Sequence, residues 1–111
     1  MIEKTILDYL SGALSVPCFM EMPEVLPPSF VVIEKTGSSV SNKIPQATFA
    51  IQSYAKTLFA AAQLNEQVKG VIDSIIELDS IINVELNSDY NYTDTGLKAY
   101  RYQAVFVVTH Y

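Results

Sequence analysis

Two segments of the chain repeat apolar residues every three or four positions, which is the pattern of amphipathic helices. The first predicts a helix at residues 2–14 that ends before Pro17, because the residue preceding a proline avoids the helical conformation. Its apolar stripe consists of Ile2, Ile6, Leu10 and Leu14. The second predicts a longer helix at residues 57–76, whose broader stripe runs from Leu58 to Ile75. Each helix is therefore expected to bury one face.

Between and after these helices the chain is rich in strand-forming residues. Ala47, Phe49 and Ile51 alternate with Thr48, Ala50 and Gln52, the period of a strand with one face more exposed than the other. The continuous apolar run Phe30–Ile33 predicts a strand buried on both faces. The five predicted strands span residues 17–22, 30–36, 46–54, 81–87 and 97–110.

Two polar stretches, Gly37–Lys43 and Asn87–Gly96, are predicted to be the loops of two β-hairpins. Polar loops on a rigid frame often carry binding, so we expect contacts with other macromolecules here; the alternative is that both are plain hairpin turns. The residues expected to make such contacts are Ser38, Ser39, Asn42, Lys43, Asp89, Tyr90, Tyr92 and Asp94.

The predicted elements follow one another in the order α-β-β-β-α-β-β. This order indicates an α+β fold with a mainly antiparallel sheet and both helices packed on one sheet face. The chain has 111 residues, of which 50% are hydrophobic, so it suits one domain with one core. The interpretation is a single α+β domain spanning residues 1–111.

Composition narrows the possible partners. Charged residues make up 17% and the net charge is −5, a balance that disfavours a nucleic-acid grip. Seven tyrosines favour protein–protein contact and self-association, although they also suit an ordinary sheet. No charge-free stretch reaches the ~20 apolar residues that a membrane helix needs, so no membrane partner is expected.

Candidate chemistry is sparse. The single cysteine, Cys18, cannot form an internal disulfide and fits synthesis in a reducing compartment. Cys18 and His110 could form a catalytic pair, but no third residue is spaced to orient the histidine. The segment that begins at Asp89 starts like a calcium-binding loop but lacks the glycine and the glutamate that such a loop needs. Glu77 and Asp79 fit a solvated helix end better than an acid–base pair. We therefore predict a protein that is not an enzyme and that uses no cofactor or metal.

Three long segments resemble a known group of viral proteins. They are SFVVIEKTGSS at residues 29–39, ATFAIQSYAKTLFAAAQLNEQVKGVID at 47–73 and LNSDYNYTDTGLKAYRYQAVFVVTHY at 86–111. Together they are similar to small tail proteins of long-tailed bacteriophages, most of all to the tail completion or tail terminator group, which joins tail to head. The likeness covers nearly the whole chain and is structural, so it assigns no functional residue.

The resemblance implies a structural virion protein. Such proteins sit as a ring, typically a hexamer, on the head-proximal end of the tail tube, after assembly in the cytoplasm of the bacterial host. The implied partners are further copies of the chain, the tail tube protein and the head connector or stopper protein. A protein of this kind can be a monomer in solution and form its ring only on the tail.

DNA passing through such a ring must not adhere to its wall. A wall without net positive charge releases no counterions and gives DNA no electrostatic grip. The acidic balance therefore predicts that some of four residues face the channel. These residues are Glu34, Glu85, Asp89 and Asp94.

Two other readings stay open. The chain is also compatible with a different protein of the same junction, a head–tail connector, a stopper or another minor tail protein. A reading of another class is a small-ligand binding module, because compact α+β domains host many functions. That reading predicts a pocket with converging polar groups.

Overall fold

A computed structural model describes residues 1–94, 96 and 99–111 of the chain. Two helices and five strands are arranged as one α+β domain, and the predicted element order is confirmed. The elements are α1 (Ile2–Ala13), β1 (Cys18–Phe19), β2 (Phe30–Ser41), β3 (Ile44–Ala55), α2 (Leu58–Asp73), β4 (Ile81–Asn91) and β5 (Tyr100–His110).

The strands lie in the spatial order β1-β2-β3-β5-β4. The short β1 runs parallel to β2, and every other neighbouring pair is antiparallel. β4 therefore forms one edge of the sheet. β1 covers only Val31 and Val32 at the other edge, so most of β2 is also an edge strand.

Both helices pack on the same face of the sheet, as predicted. From the helices, Ile6, Leu10, Val68 and Ile72 are fully buried. They contact the sheet residues that alternate toward them, which include Ile33, Phe49, Ile51, Ala104 and Phe106. The apolar stripes of the sequence thus meet in one main core.

α2 begins with a side-chain cap. The Thr57 Oγ1 atom accepts a hydrogen bond from the Ala60 backbone N–H at 3.1 Å, which satisfies one of the free donors in the first turn. The helix ends at Asp73, and a 3₁₀ turn, Ser74–Glu77, follows it. The predicted helix of residues 57–76 therefore includes most of this turn.

Replacing Thr57 with alanine is expected to reduce the free energy of unfolding by about 1 kcal/mol, because the Ala60 N–H loses its acceptor. Urea unfolding measures the change. Thr57→Ser keeps the hydroxyl and is expected to stay within about 0.5 kcal/mol of the original protein. Equal losses in both variants would show that the cap does not stabilise α2.

The prediction of a loop at Gly37–Lys43 was wrong for all but its last two residues. β2 continues to Ser41, and a two-residue turn of Asn42 and Lys43 leads directly into β3. Both turn residues have positive φ, 52° and 67°, as the type I′ turn of a tight hairpin requires. The serine-rich sequence of this segment is typical of a loop. Here it forms a strand whose side chains are exposed, so the strand does not need apolar residues.

Lys43 occupies a backbone conformation that favours glycine, with φ of 67°. Lys43→Gly is therefore expected to raise the free energy of unfolding by about 1 kcal/mol. The left-handed backbone conformation costs a residue with a Cβ atom about this much, whereas glycine adopts it freely. A thermal melt of both proteins measures the shift. An unchanged or lower melting temperature in the glycine variant would contradict this account of the turn.

Three other boundaries differ from the predictions. The first strand is limited to Cys18–Phe19 instead of residues 17–22. β4 extends to Asn91, so the first part of the predicted loop Asn87–Gly96 is strand. The predicted last strand began at Leu97, which lies outside the described residues, and β5 is described from Tyr100.

Candidate functional site

The eight predicted contact residues do not gather at one place. Ser38, Ser39, Asn42 and Lys43 belong to the end of the β2–β3 hairpin, next to the row where Gln46 pairs with Thr109. Tyr92 and Asp94 follow β4 at the opposite end, where Asn91 pairs with Tyr102. The domain measures 44 × 24 × 24 Å, so these two polar surfaces lie at the two ends of an elongated body.

The first surface is the β2–β3 hairpin beyond the helices, here called the hairpin arm, residues 36–46. Every β2 residue from Glu34 to Ser41 is exposed, including the apolar Val40 at 70%. A bulge between Lys35 and Gly37 separates the arm from the buried half of β2. The arm is therefore an ordered polar projection with a regular backbone.

The second surface contains an aromatic cluster that the sequence analysis did not predict. The Phe30 and Tyr54 rings stack with centroids 4.6 Å apart. The Arg101 guanidinium lies 4.3 Å from the Tyr92 ring centroid and donates to the Tyr54 hydroxyl at 2.9 Å. Stacking and cation–π contact hold these side chains in place. Tyr92 is thus anchored by Arg101.

A hydrogen-bonded network continues from this cluster across the sheet. Tyr54 donates to Gln52 at 3.2 Å, and Gln52 donates to Gln103 at 2.9 Å. Gln103 in turn donates to the Tyr90 hydroxyl. Tyr90 was predicted to be a loop residue but lies in β4. Gln52 and Gln103 lie on the sheet face away from the helices, and only strand register shows that they are opposite each other.

Asp89 also lies in β4, on the side of the helices. Its carboxylate accepts from Lys69 at 2.9 Å and from Asn65 at 3.4 Å. Lys69 also pairs with Glu66 at 2.7 Å, and the bonds to Glu66 and then Asp89 raise the pKa of Lys69. Asp89 therefore ties β4 to α2 and does not lie on the opposite sheet face.

That opposite face carries no covering helix in the part of the chain that the structure describes. Strand register places Glu34 beside Ala50 and Glu85 beside Val107, all four on this face. Its two glutamates are exposed, whereas Phe30, Val32 and Tyr54 form a second, smaller buried cluster at one end of it. Arg101 at that end is held by Tyr54 and Tyr92, and the exposed Lys56 lies beside Phe30 and Tyr54. The part of this face around Glu34 and Glu85, here called the uncovered sheet face, is therefore acidic.

The structure separates the candidate cysteine–histidine pair. Cys18 belongs to the row of Val31, Ser53 and Tyr102, whereas His110 lies eight positions further along β5, about 27 Å away along the strand. Burial raises the pKa of the Cys18 thiol, so it stays protonated at neutral pH. The pair cannot cooperate in one reaction.

The acidic candidate Glu77 is held by a side chain of α1. Glu77 accepts a hydrogen bond from the Tyr9 hydroxyl at 2.7 Å and so links the 3₁₀ turn to α1. Over residues 1–94, 96 and 99–111, no three histidine, cysteine or acidic side chains are grouped to hold a metal ion. No helix in the same residues has the length and apolarity needed to cross a membrane.

An open groove of about 340 Å³ runs between α2 and β4. Val84, Leu86 and Phe106 form its apolar floor, and its charged rim belongs to α2. Lys69 on that rim is already paired with Glu66 and Asp89. The charged side chains Glu66, Lys69 and Asp73 line only its helix side, opposite the apolar floor. It is a shallow channel along the free edge of the sheet.

The chain matches no protein-family model, and no curated protein is significantly similar to it.

Proposed function

We propose that this chain is a structural virion protein that forms a ring at the head-proximal end of a bacteriophage tail tube and joins the tail to the head. The observation that carries the proposal is the uncovered sheet face. Two helices bury one face of the sheet, while the other face carries no helix over the described residues and presents the exposed Glu34 and Glu85. Such a face suits the wall of a channel, with the helices outside.

The electrostatics of this face favour passage of DNA. Neither glutamate has a cationic partner among the described ion pairs. Around Glu34 and Glu85 a phosphate backbone meets carboxylates, so it releases no counterions there and gains no binding energy. Of the four residues expected to face the channel, Glu34 and Glu85 share this face. Asp89 does not, because Lys69 and Asn65 hold its carboxylate on the helix side.

The elongated shape supports a joining role. The hairpin arm lies at one end of the 44 Å long axis, and the cluster around Arg101 lies toward the other. A ring of parallel copies would present one kind of polar surface to the tube and another to the head connector. Self-association of this kind also suits the two free sheet edges, which lie on opposite sides of the domain.

The proposal is tested by complementation in a phage whose copy of this gene is deleted. We expect lysates without the protein to contain filled heads and unjoined tail tubes of irregular length. Purified protein added to such a lysate should restore joined particles and infectivity. Tubes of normal length that fail only to join heads would favour a connector or stopper role instead. Normal particles in the deletion would overturn the proposal.

A further inference from the structure

Two strand edges have no partner among the described residues. One is the outer edge of β4, residues Ile81–Asn91. The other is the outer edge of β2 from Glu34 to Ser41, beyond the two residues that β1 covers. Exposed edges invite pairing with another chain, and proteins protect them with proline, charged residues or β-bulges. β4 contains no proline or lysine, and between its two bulges it keeps a regular run, Asn83–Leu86.

The two edges have compatible directions. β2 is antiparallel to β3, β3 to β5 and β5 to β4, so β4 runs antiparallel to β2. A second copy rotated about an axis along the strands keeps the strand directions of the first. Its β2 therefore meets β4 of the first copy in the antiparallel sense and continues the alternation of the sheet. The contact joins two different surfaces, the kind of interface that closes a ring.

The regular parts of the two edges also lie at the same height. Register across the sheet places Gly37, Thr48, Val107 and Glu85 in one row, and Ser38, Ala47, Val108 and Val84 in the next. Bulges interrupt β2 before Gly37 and β4 on both sides of the run Asn83–Leu86. The next row contains Ser39 and Asn83, so Gly37–Ser39 and Asn83–Glu85 face each other when copies lie side by side.

We infer that β4 of one copy pairs with the hairpin arm of a second copy, through Asn83–Glu85 and Gly37–Ser39. Only the closure of such contacts into a ring depends on the function proposed above. The paired segment includes Val84 of the groove floor and ends one residue before Leu86, which is 47% exposed in the single chain. It also brings the exposed Lys43 of the arm toward the exposed Asp79 before β4, at the same end of the sheet.

Disulfide trapping tests this contact directly, because opposed residues of antiparallel strands have Cα atoms about 4.5–5.5 Å apart, within the range that a disulfide bridges. In a Cys18→Ala background, one protein carries Ser38→Cys and another carries Val84→Cys. Mixed under mild oxidation, the two are expected to form a disulfide-linked heterodimer. A protein carrying both substitutions should give a ladder of oligomers.

A matched control uses Glu85→Cys, the neighbouring position whose side chain points to the other sheet face. Its cross-linking with Ser38→Cys is expected to be at least tenfold weaker. Efficient homodimers from Val84→Cys alone would indicate a two-fold β4–β4 contact and overturn the inference, as would no cross-link in the mixture while circular dichroism shows folded proteins. Ladders from a protein that fails to restore tail joining would contradict the proposed function alone.

Discussion

Phe49→Ala is expected to reduce the free energy of unfolding by about 3–5 kcal/mol, because it removes a large side chain from the centre of the core. Phe49 is fully buried on the helix-facing side of β3, and its register neighbours are Lys35 and Phe106. A typical domain has only about 5–15 kcal/mol of stability, so this loss is a large part of the total. The urea midpoint should fall by at least about 1 M.

The matched control is the same substitution at an exposed phenylalanine. Phe59 lies in the first turn of α2 with 73% of its side chain exposed. Phe59→Ala is therefore expected to change stability by less than about 0.5 kcal/mol. Similar urea midpoints for the two variants would show that Phe49 does not lie in the core described above.

Reversing the charge of the uncovered face is expected to make the assembled ring retain DNA. In the double variant Glu34→Lys, Glu85→Lys, each copy presents two lysines where it had two glutamates. Six to ten resulting phosphate contacts would make affinity fall by about 10³–10⁵ between 50 and 200 mM salt. Filter binding over a salt series measures this slope, and DNA ejection from assembled particles should slow.

The control for this experiment adds the same charge elsewhere. Glu21 and Glu24 are exposed residues of the irregular segment between β1 and β2. Glu21→Lys with Glu24→Lys gives an identical net charge but leaves the uncovered face unchanged, so normal ejection is expected. If both double variants slow ejection equally, the uncovered face does not line the channel.

Much of the fold could be predicted from residue periodicity. The stripe through Ile6 and Leu10 and the alternation through Phe49 and Ile51 are direct consequences of burying one face of a helix or strand. The hairpin arm was missed because no buried neighbour imposes alternation on exposed residues such as Ser38 and Ser39. Local polarity was then mistaken for a loop.

The candidate surfaces were harder to predict than the fold. Asp89 and Tyr90 are adjacent in sequence, yet one binds Lys69 on the helix side and the other binds Gln103 on the opposite face. This difference follows from strand alternation once β4 is known to reach Asn91. The Arg101 cluster depends on the register of β3 with β5, which no local pattern specifies. The sequence therefore indicated which segments form strands and helices but not which side chains contact each other.

In the described residues, helices cover one sheet face only, and both long edges of the sheet are largely free. In the assembly that we propose, contacts between copies would use these edges. The groove beside β4 is also consistent with contacts between copies, because its apolar floor lies along an unpaired edge of the sheet. Assembly would thus complete the sheet that the single chain leaves open.

The most direct test is electron microscopy of purified protein mixed with bare tail tubes. Our account predicts a ring on one end of each tube, with helices outside and the face of Glu34 and Glu85 around a central channel. Tubes whose ends stay bare, or protein bound along the tube wall, would contradict it.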